Sequence, residues 1–330
     1  MEDHRYRPDA AFARKFASEA AIATDIPVST FVETQPLVEA PTPAVEYGLD
    51  ATNPRHLEAL QKLERGYAAV TREPGFKAYL DVLAKLYTYS PRNVMLIFAQ
   101  RPDATLVNSY DRWKESGRQV KKGSRGIQIF YPQHRVVDDV DPNTGDPVKR
   151  KALVGFGIGN VFDVSDTDGP PIEAPTKTPA TFGVSPAATE LDRKAASWGI
   201  GEGLRLEKRP SLRGERGRYS PREQRIVLSE ELEDNDGKVK TLVHELAHYA
   251  AGDTAGWQGR SLSELIAEGT AYTVLQAAGI DTADYSFPYL KHFTDSPGAF
   301  KLAIPEIAKH SRKLITAFSS EDPSKMEEWV

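Results

Sequence analysis

Residues 239–252 read Val239-Lys240-Thr241-Leu242-Val243-His244-Glu245-Leu246-Ala247-His248-Tyr249-Ala250-Ala251-Gly252. The stretch is apolar and free of proline, and it stops at a glycine, which predicts a helix. Residues four apart share one helical face, so the imidazoles of His244 and His248 can reach a single ion. Glu245 then flanks that ion without ligating it, where it can take a proton from a water molecule. The competing reading is a surface helix with two incidental histidines, and its apolar context and nearby carboxylates count against it.

A catalytic centre of this kind takes three protein ligands and leaves a fourth position open. Downstream, Ser261-Leu262-Ser263-Glu264-Leu265-Ile266-Ala267-Glu268-Gly269-Thr270-Ala271-Tyr272 is a second helical pattern with carboxylates one turn apart. Spacing alone leaves Glu264 and Glu268 both open as the third ligand. Two histidines and a glutamate from a following helix resemble the gluzincin peptidases. That resemblance implies Glu264 as the ligand and Glu268 as the carboxylate that orients a ligand imidazole. It implies Zn2+ as the ion, with Mn2+ the alternative, and Glu245 as the general base and acid. Tyr272 and Tyr285 are candidates for a hydrogen bond to the oxyanion.

The rest of the chain bounds the setting. Its 330 residues are 40% hydrophobic and contain no cysteine, which excludes thiol catalysis, disulfides and thiolate-bound zinc. No apolar run approaches the roughly 18 residues of a membrane span, and no secretory signal is visible, so a cytoplasmic protein without a membrane partner is expected. The net charge of −5 means that any nucleic-acid role must come from a local patch.

Proline-rich stretches divide the chain. Residues 1–50 are expected to be a disordered or partly helical tail and 166–186 a linker. The units between and after them are 51–165 and 187–325. The first mixes helical spacing (Leu57, Leu60, Leu63; Phe76, Leu80, Leu83) with strand patterns at 105–107, 127–131 and 153–156. Ser90 and Pro91 mark a helix start. An α+β fold follows. Arg225-Ile226-Val227-Leu228 reads as the strand before the His244 helix.

Between residues 101 and 135, eight Lys or Arg stand against three Asp or Glu, with Tyr110, Trp113, Phe130 and Tyr131 interleaved. Cations that track phosphates beside aromatics that stack bases suit a single-stranded nucleic acid. The candidate contacts are Arg112, Trp113, Arg118, Lys121, Lys122 and Arg125, while the plain alternative is a solvated face over a buried Trp113.

Here a second resemblance enters. Ser90-Pro91-Arg92-Asn93, Gln100-Arg101-Pro102, Thr105-Leu106-Val107, Trp113, Gly117 to Gly123, Gly126-Ile127 and Val161-Phe162-Asp163 recur in this order in the single-stranded-DNA-binding domain of ArdC-type antirestriction proteins. In that family the domain precedes an HExxH metallopeptidase domain. The pattern from Ser263 to Glu268, followed by Asp284-Tyr285-Ser286-Phe287-Pro288-Tyr289, resembles its ImmA/IrrE-like variant. The resemblance implies a compact zincin after the DNA-binding unit. The expected protein is a zinc-dependent metallo-endopeptidase of a mobile element or phage, which binds single-stranded DNA, counters host restriction and acts on an unidentified protein substrate. Two alternatives stand beside it: a non-proteolytic protective protein with a structural metal, and a regulatory protease of the ImmA/IrrE type.

Overall fold

The computed structural model describes residues 49–50, 52–71, 73–140, 144–172, 185–210, 212, 215–232, 235–252, 260–282 and 297–319. The expected tail up to residue 48, most of the linker and Tyr285 lie outside the described residues.

Among the described residues, three helices come first: α1 (Pro54–Ala69), α2 (Glu73–Leu86) and α3 (Pro91–Gln100). Ser90 caps α3 as its sequence predicts, its hydroxyl accepting the Asn93 amide at 3.3 Å. Strand β1 (Val107–Asn108), helix α4 (Tyr110–Glu115) and strands β2 (Gln119–Val120), β3 (Ile127–Val140), β4 (Pro147–Asp163) and β5 (Thr167–Asp168) follow. The strand expected at 105–107 is shorter than its pattern suggests. The Asp163 carboxylate accepts the amides of Thr105 at 2.8 Å and Leu106 at 3.3 Å, so a side chain takes the place of a ladder there.

β3 and β4 form one long antiparallel hairpin, from Ile127↔Val161 to Val140↔Pro147, with an irregularity at Gln133/His134. Only its root is buried, through Ile127, Phe130 and Val161. The outer edge of that root is closed by amide side chains of α3. Asn93 donates to the Phe130 carbonyl at 2.8 Å and accepts its amide at 2.9 Å. Gln100 does the same with Gln128, at 2.9 and 3.1 Å. An edge strand's unpaired groups are thereby satisfied from a helix.

The second half contains α5 (Pro186–Gly201), β6 (Arg205–Arg209), β7 (Gly217–Ser220), β8 (Arg225–Ser229), α6 (Asn235–Ala251), α7 (Arg260–Ala277) and α8 (Pro297–Ser319). The sheet order is β6-β8-β7, with β6 parallel and β7 antiparallel to β8. β8 is central because Ile226, Val227 and Leu228 are all buried, a continuous apolar run that only an inner strand can hide. The fold mixes helices and strands, in line with the α+β expectation.

The core is not divided where the prolines suggested. One cluster joins Leu63, Phe76, Leu80, Leu83 and Met95 of the first half to Leu265, Ile266 and Tyr272 of α7 and Phe300, Ile304 and Ile307 of α8. The rings of Phe76 and Phe300 meet edge-on at 4.9 Å. A second cluster packs α5, β8 and α6 against Ala267, Ala271, Val274 and Leu275 of α7. α7 belongs to both clusters and is buried on every side from Leu265 to Gln276, taking Glu268, Thr270, Thr273 and Gln276 inward with its apolar residues. Leu49, assigned to the tail, is buried in the first cluster. Thr167, assigned to the linker, pairs with Val120.

Candidate functional site

α6 turns Val239, Leu242, Val243, Leu246 and Ala247 into the second cluster and leaves His244 and His248 half-buried on its other side. α7 crosses it and presents Glu264 and Glu268. Ligand atoms of His244, His248 and Glu264 all lie within 4.8 Å of one another. His244 Nε2 and His248 Nε2 are 3.2 Å apart, and Glu264 Oε2 is 3.4 Å from the first and 3.6 Å from the second.

The other ring nitrogens are also engaged. His244 Nδ1 lies 3.1 Å from Glu268 Oε2, and His248 Nδ1 lies 3.4 Å from Ser263 Oγ. Both Nε2 atoms therefore face the carboxylate of Glu264 while both Nδ1 atoms face a polar partner, the arrangement of ligating imidazoles. The donor set of two imidazole nitrogens and one carboxylate oxygen suits Zn2+ and tolerates Mn2+. The open third carboxylate of the sequence reading is placed as well: Glu268 is buried behind His244, and its second oxygen pairs with Lys240 Nζ at 2.9 Å.

Electrostatics follow from this packing. Burial disfavours a charge on His244, yet the hydrogen bonds that its ring donates to Glu264 and Glu268 outweigh it and push the imidazole up to about 10. Burial also works against the charge of Glu264, but both imidazoles hold its carboxyl well below the usual range. Carboxylates that favour a proton on an imidazole favour a divalent cation in its place. Glu245 is buried and stands outside the group of His244, His248 and Glu264. Burial raises its pKa against the pull of His244, His248 and the Tyr219 amide, which donates to Oε2 at 2.8 Å.

Tyr272 does not belong to this site. It is fully buried in the first cluster, and its hydroxyl donates to Asp81 at 2.7 Å. Each turn of α7 rotates the side chains by some tens of degrees, enough two turns beyond Glu264 to aim Tyr272 at α2. Sequence reasoning missed three contacts: Lys240, Ser263 and the Tyr219 amide. Lys240 was legible, because it precedes His244 by one helical turn. The Tyr219 amide was not, since only the tertiary fold brings β7 to α6.

The basic stretch gathers around α4 and the turn after it. Trp113 is 1% exposed, and its indole donates to the Phe162 carbonyl at 2.8 Å, so it is a core residue and not a stacking platform. Arg118 is likewise a brace: it donates to Thr167 Oγ1 at 2.8 Å and to the carbonyls of Thr167 and Pro170, beneath the Trp113 ring. Arg112, Lys121, Lys122 and Arg125 are exposed. Lys121 reaches the Ser165 carbonyl at 3.0 Å and lies 3.6 Å from the Asp168 carboxylate, whereas Lys122 and Arg125 make no hydrogen bond or ion pair among the described residues. Gly117 and Gly123 take positive φ of 73° and 90°, the backbone that lets this turn fold back on itself. Of the four aromatics, Phe130 is buried with Trp113, while Tyr110 and Tyr131 are exposed. An open cleft of about 520 Å³ lies beside Tyr110, lined by Gln119, Lys121, Lys122 and Phe162 among others.

Known proteins share parts of this chain. The sequence is 25% identical over 251 residues to the uncharacterized protein pXO2-81 of Bacillus anthracis. The match takes in 65% of this chain and spans 42% of that relative's length. The metal-free crystal structure of the antirestriction ArdC protein from the R388 plasmid superposes on 70% of this chain and 85% of its own, with 20% identity and a TM-score of 0.43. The Mn(II)-bound structure of that protein covers 80% of this chain and 99% of its own, with 16% identity and a TM-score of 0.48. A family model described as the N-terminal domain of anti-restriction factor ArdC matches residues 57–162, from α1 to the end of β4 and short of the histidine–glutamate cluster. Over those residues, the chain is similar to the N-terminal domain of anti-restriction factor ArdC.

Proposed function

We propose that the chain is a metal-dependent peptidase whose ArdC-type domain engages single-stranded DNA. The observation that carries this reading is the gathering of His244, His248 and Glu264 beside a buried, non-ligating Glu245. The set fits a zinc ion, which when bound polarises a scissile carbonyl and acidifies a water. Glu245, oriented by the Tyr219 amide, accepts the proton and passes it to the leaving amine. Glu268 keeps the His244 Nδ1 occupied, so that Nε2 faces Glu264. β7 is an outer strand of its sheet among the described residues, and its Tyr219 amide, pointing away from β8, is taken by Glu245 and holds that carboxylate in place.

The basic turn supports the second half of the reading. Lys121, Lys122 and Arg125 with the exposed Tyr110 and Tyr131 offer cations and ring faces to a flexible strand. No helix among the described residues is long and apolar enough to cross a membrane.

The test is Glu245→Gln in the full chain. It should retain the ion and DNA binding and lose all cleavage of host proteins, measured by mass spectrometry of newly formed termini. The family match, confined to residues 57–162, favours a second reading in which DNA protection needs no proteolysis. A restriction-protection phenotype that survives Glu245→Gln selects that reading.

A further inference from the structure

β7 passes so close to α6 that position 217 has no room for a side chain. A Cβ at Gly217 would lie 2.6 Å from Thr241 Cγ2, 3.0 Å from Glu245 Oε1 and 3.1 Å from Glu245 Cγ. The backbone does not call for glycine there. Gly217 pairs with Leu228 in a regular antiparallel ladder and is absent from the positive-φ glycines. Glycine weakens a strand, and inside one it often marks the close approach of another group. Here two groups share that approach, the Thr241 methyl and the side chain of Glu245. Glu245 Oε2 accepts the Tyr219 amide while its Oε1 lies over the bare backbone of Gly217.

We propose that Gly217 is a positioning residue: the missing side chain fixes where the Glu245 carboxylate sits beside His244, His248 and Glu264. A methyl group at 217 displaces the carboxylate from the space it shares with β7 and loosens its hold on the Tyr219 amide. The catalytic consequence rests on the peptidase reading, whereas the steric coupling does not.

The experiment separates the two. Thr241→Ser removes the competing Cγ2 but keeps the hydroxyl that donates to the Gly237 carbonyl at 2.8 Å, and serves as the reference. Gly217→Ala and Glu245→Ala are added to it singly and together, and the metal-free full chains are melted. Gly217→Ala should lower Tm by several degrees in the reference and by about 1 °C or less beside Glu245→Ala, because truncation opens the space. Equal losses in both backgrounds overturn the proposal. Should Gly217→Ala alone fail to fold, adding Glu245→Asp retracts the carboxylate by one methylene and should restore folding; continued failure to fold also overturns it.

A second readout is insensitive to general loosening. In Co(II)-loaded protein, Gly217→Ala should shift the visible absorption band when Glu245 is present and leave it unchanged beside Glu245→Ala. A band that never moves means the carboxylate stayed in place, and counts against the proposal. Cleavage of fluorescein-labelled casein and of host proteins by the reference is scored separately. No cleavage together with intact coupling removes the peptidase reading alone. Cleavage without coupling removes this inference alone.

Discussion

The hydroxyl of Tyr272 donates to the carboxylate of Asp81 at 2.7 Å, tying α7 to α2 across 191 positions of sequence. Gln276 donates to the same hydroxyl at 2.9 Å, and Lys77 pairs with Asp81 at 2.9 Å while lying 5.7 Å from the Tyr272 ring centroid. A residue whose spacing suggested transition-state stabilisation is thus a fastener between the two halves.

Tyr272→Phe removes both the bond to Asp81 and the one from Gln276, and should therefore destabilise the chain by about 2–4 kcal/mol. Denaturant melts measure the loss, and calorimetric titration with zinc should find metal affinity unchanged. An ion lost with the hydroxyl would return Tyr272 to the site.

Single substitutions should sort the cluster by role. His244→Ala, His248→Ala and Glu264→Ala should each abolish the stoichiometric ion, because each removes a donor from a set of three. Glu268→Ala should weaken affinity by roughly 10–100-fold, the usual effect of losing the group that orients a ligand imidazole. Competition against a chromogenic chelator reads both outcomes. A Glu268 variant that loses the ion outright while Glu264→Ala keeps it would exchange the two roles.

The metal-free chain should show a stability optimum in mildly acidic solution. His244 titrates near 6.5 when unfolded and is pushed up to about 10 when folded, so its contribution is complete below pH 6.5 and is lost as pH rises toward 10. Glu264 moves the other way: its contribution is present above its unfolded value of 4.5 and is lost as pH falls below it. Thermal melts across this range should peak between those two values. Zinc affinity should instead rise with pH, because the ion competes with the proton on His244.

On the basic face, neutralising Lys121, Lys122 and Arg125 together should lower affinity for single-stranded DNA and reduce the salt slope by up to about 0.7 per lost phosphate contact. The full chain is the right material, since α7 and α8 complete the core of residues 57–162. Trp113→Ala should act differently, costing about 3–5 kcal/mol of stability through the cavity it leaves. Fluorescence anisotropy at several salt concentrations, paired with melts, distinguishes the effects. Unchanged affinity of the triple variant at low salt would remove this face from the DNA-binding reading.

How much of this was legible depended on the range of each interaction. The pairing of His244 with His248 follows from helical period, which is local, and so does the Ser90 cap, whereas the choice of Glu264 over Glu268 rested on the resemblance to gluzincins. The strand at 225–228 was legible from its run of buried aliphatics. Asp163 shortening the strand at 105–107, Trp113 turning inward and the Tyr219 amide reaching Glu245 each depend on partners from 26 to 58 residues away. The prolines of 166–186 suggested a boundary, but buried side chains from both sides of that stretch share one cluster. Leu265 and Ile266 read as an apolar run in sequence, and nothing local tells that α2 lies against them.

Because α7 supplies Glu264 and also walls the core beneath α1, α2 and α3, an ion bound at one end is felt at the other. A ligand that binds only the native state stabilises whatever unfolds with its site, by about 2.7 kcal/mol at a hundred times its Kd. The scaffold beneath Lys121 and Lys122 shares in that gain although neither lysine belongs to the metal cluster. Metal supply would then set how long the basic face around Lys121 and Lys122 survives proteolysis and heat, and a chelator would shorten its lifetime without touching either lysine.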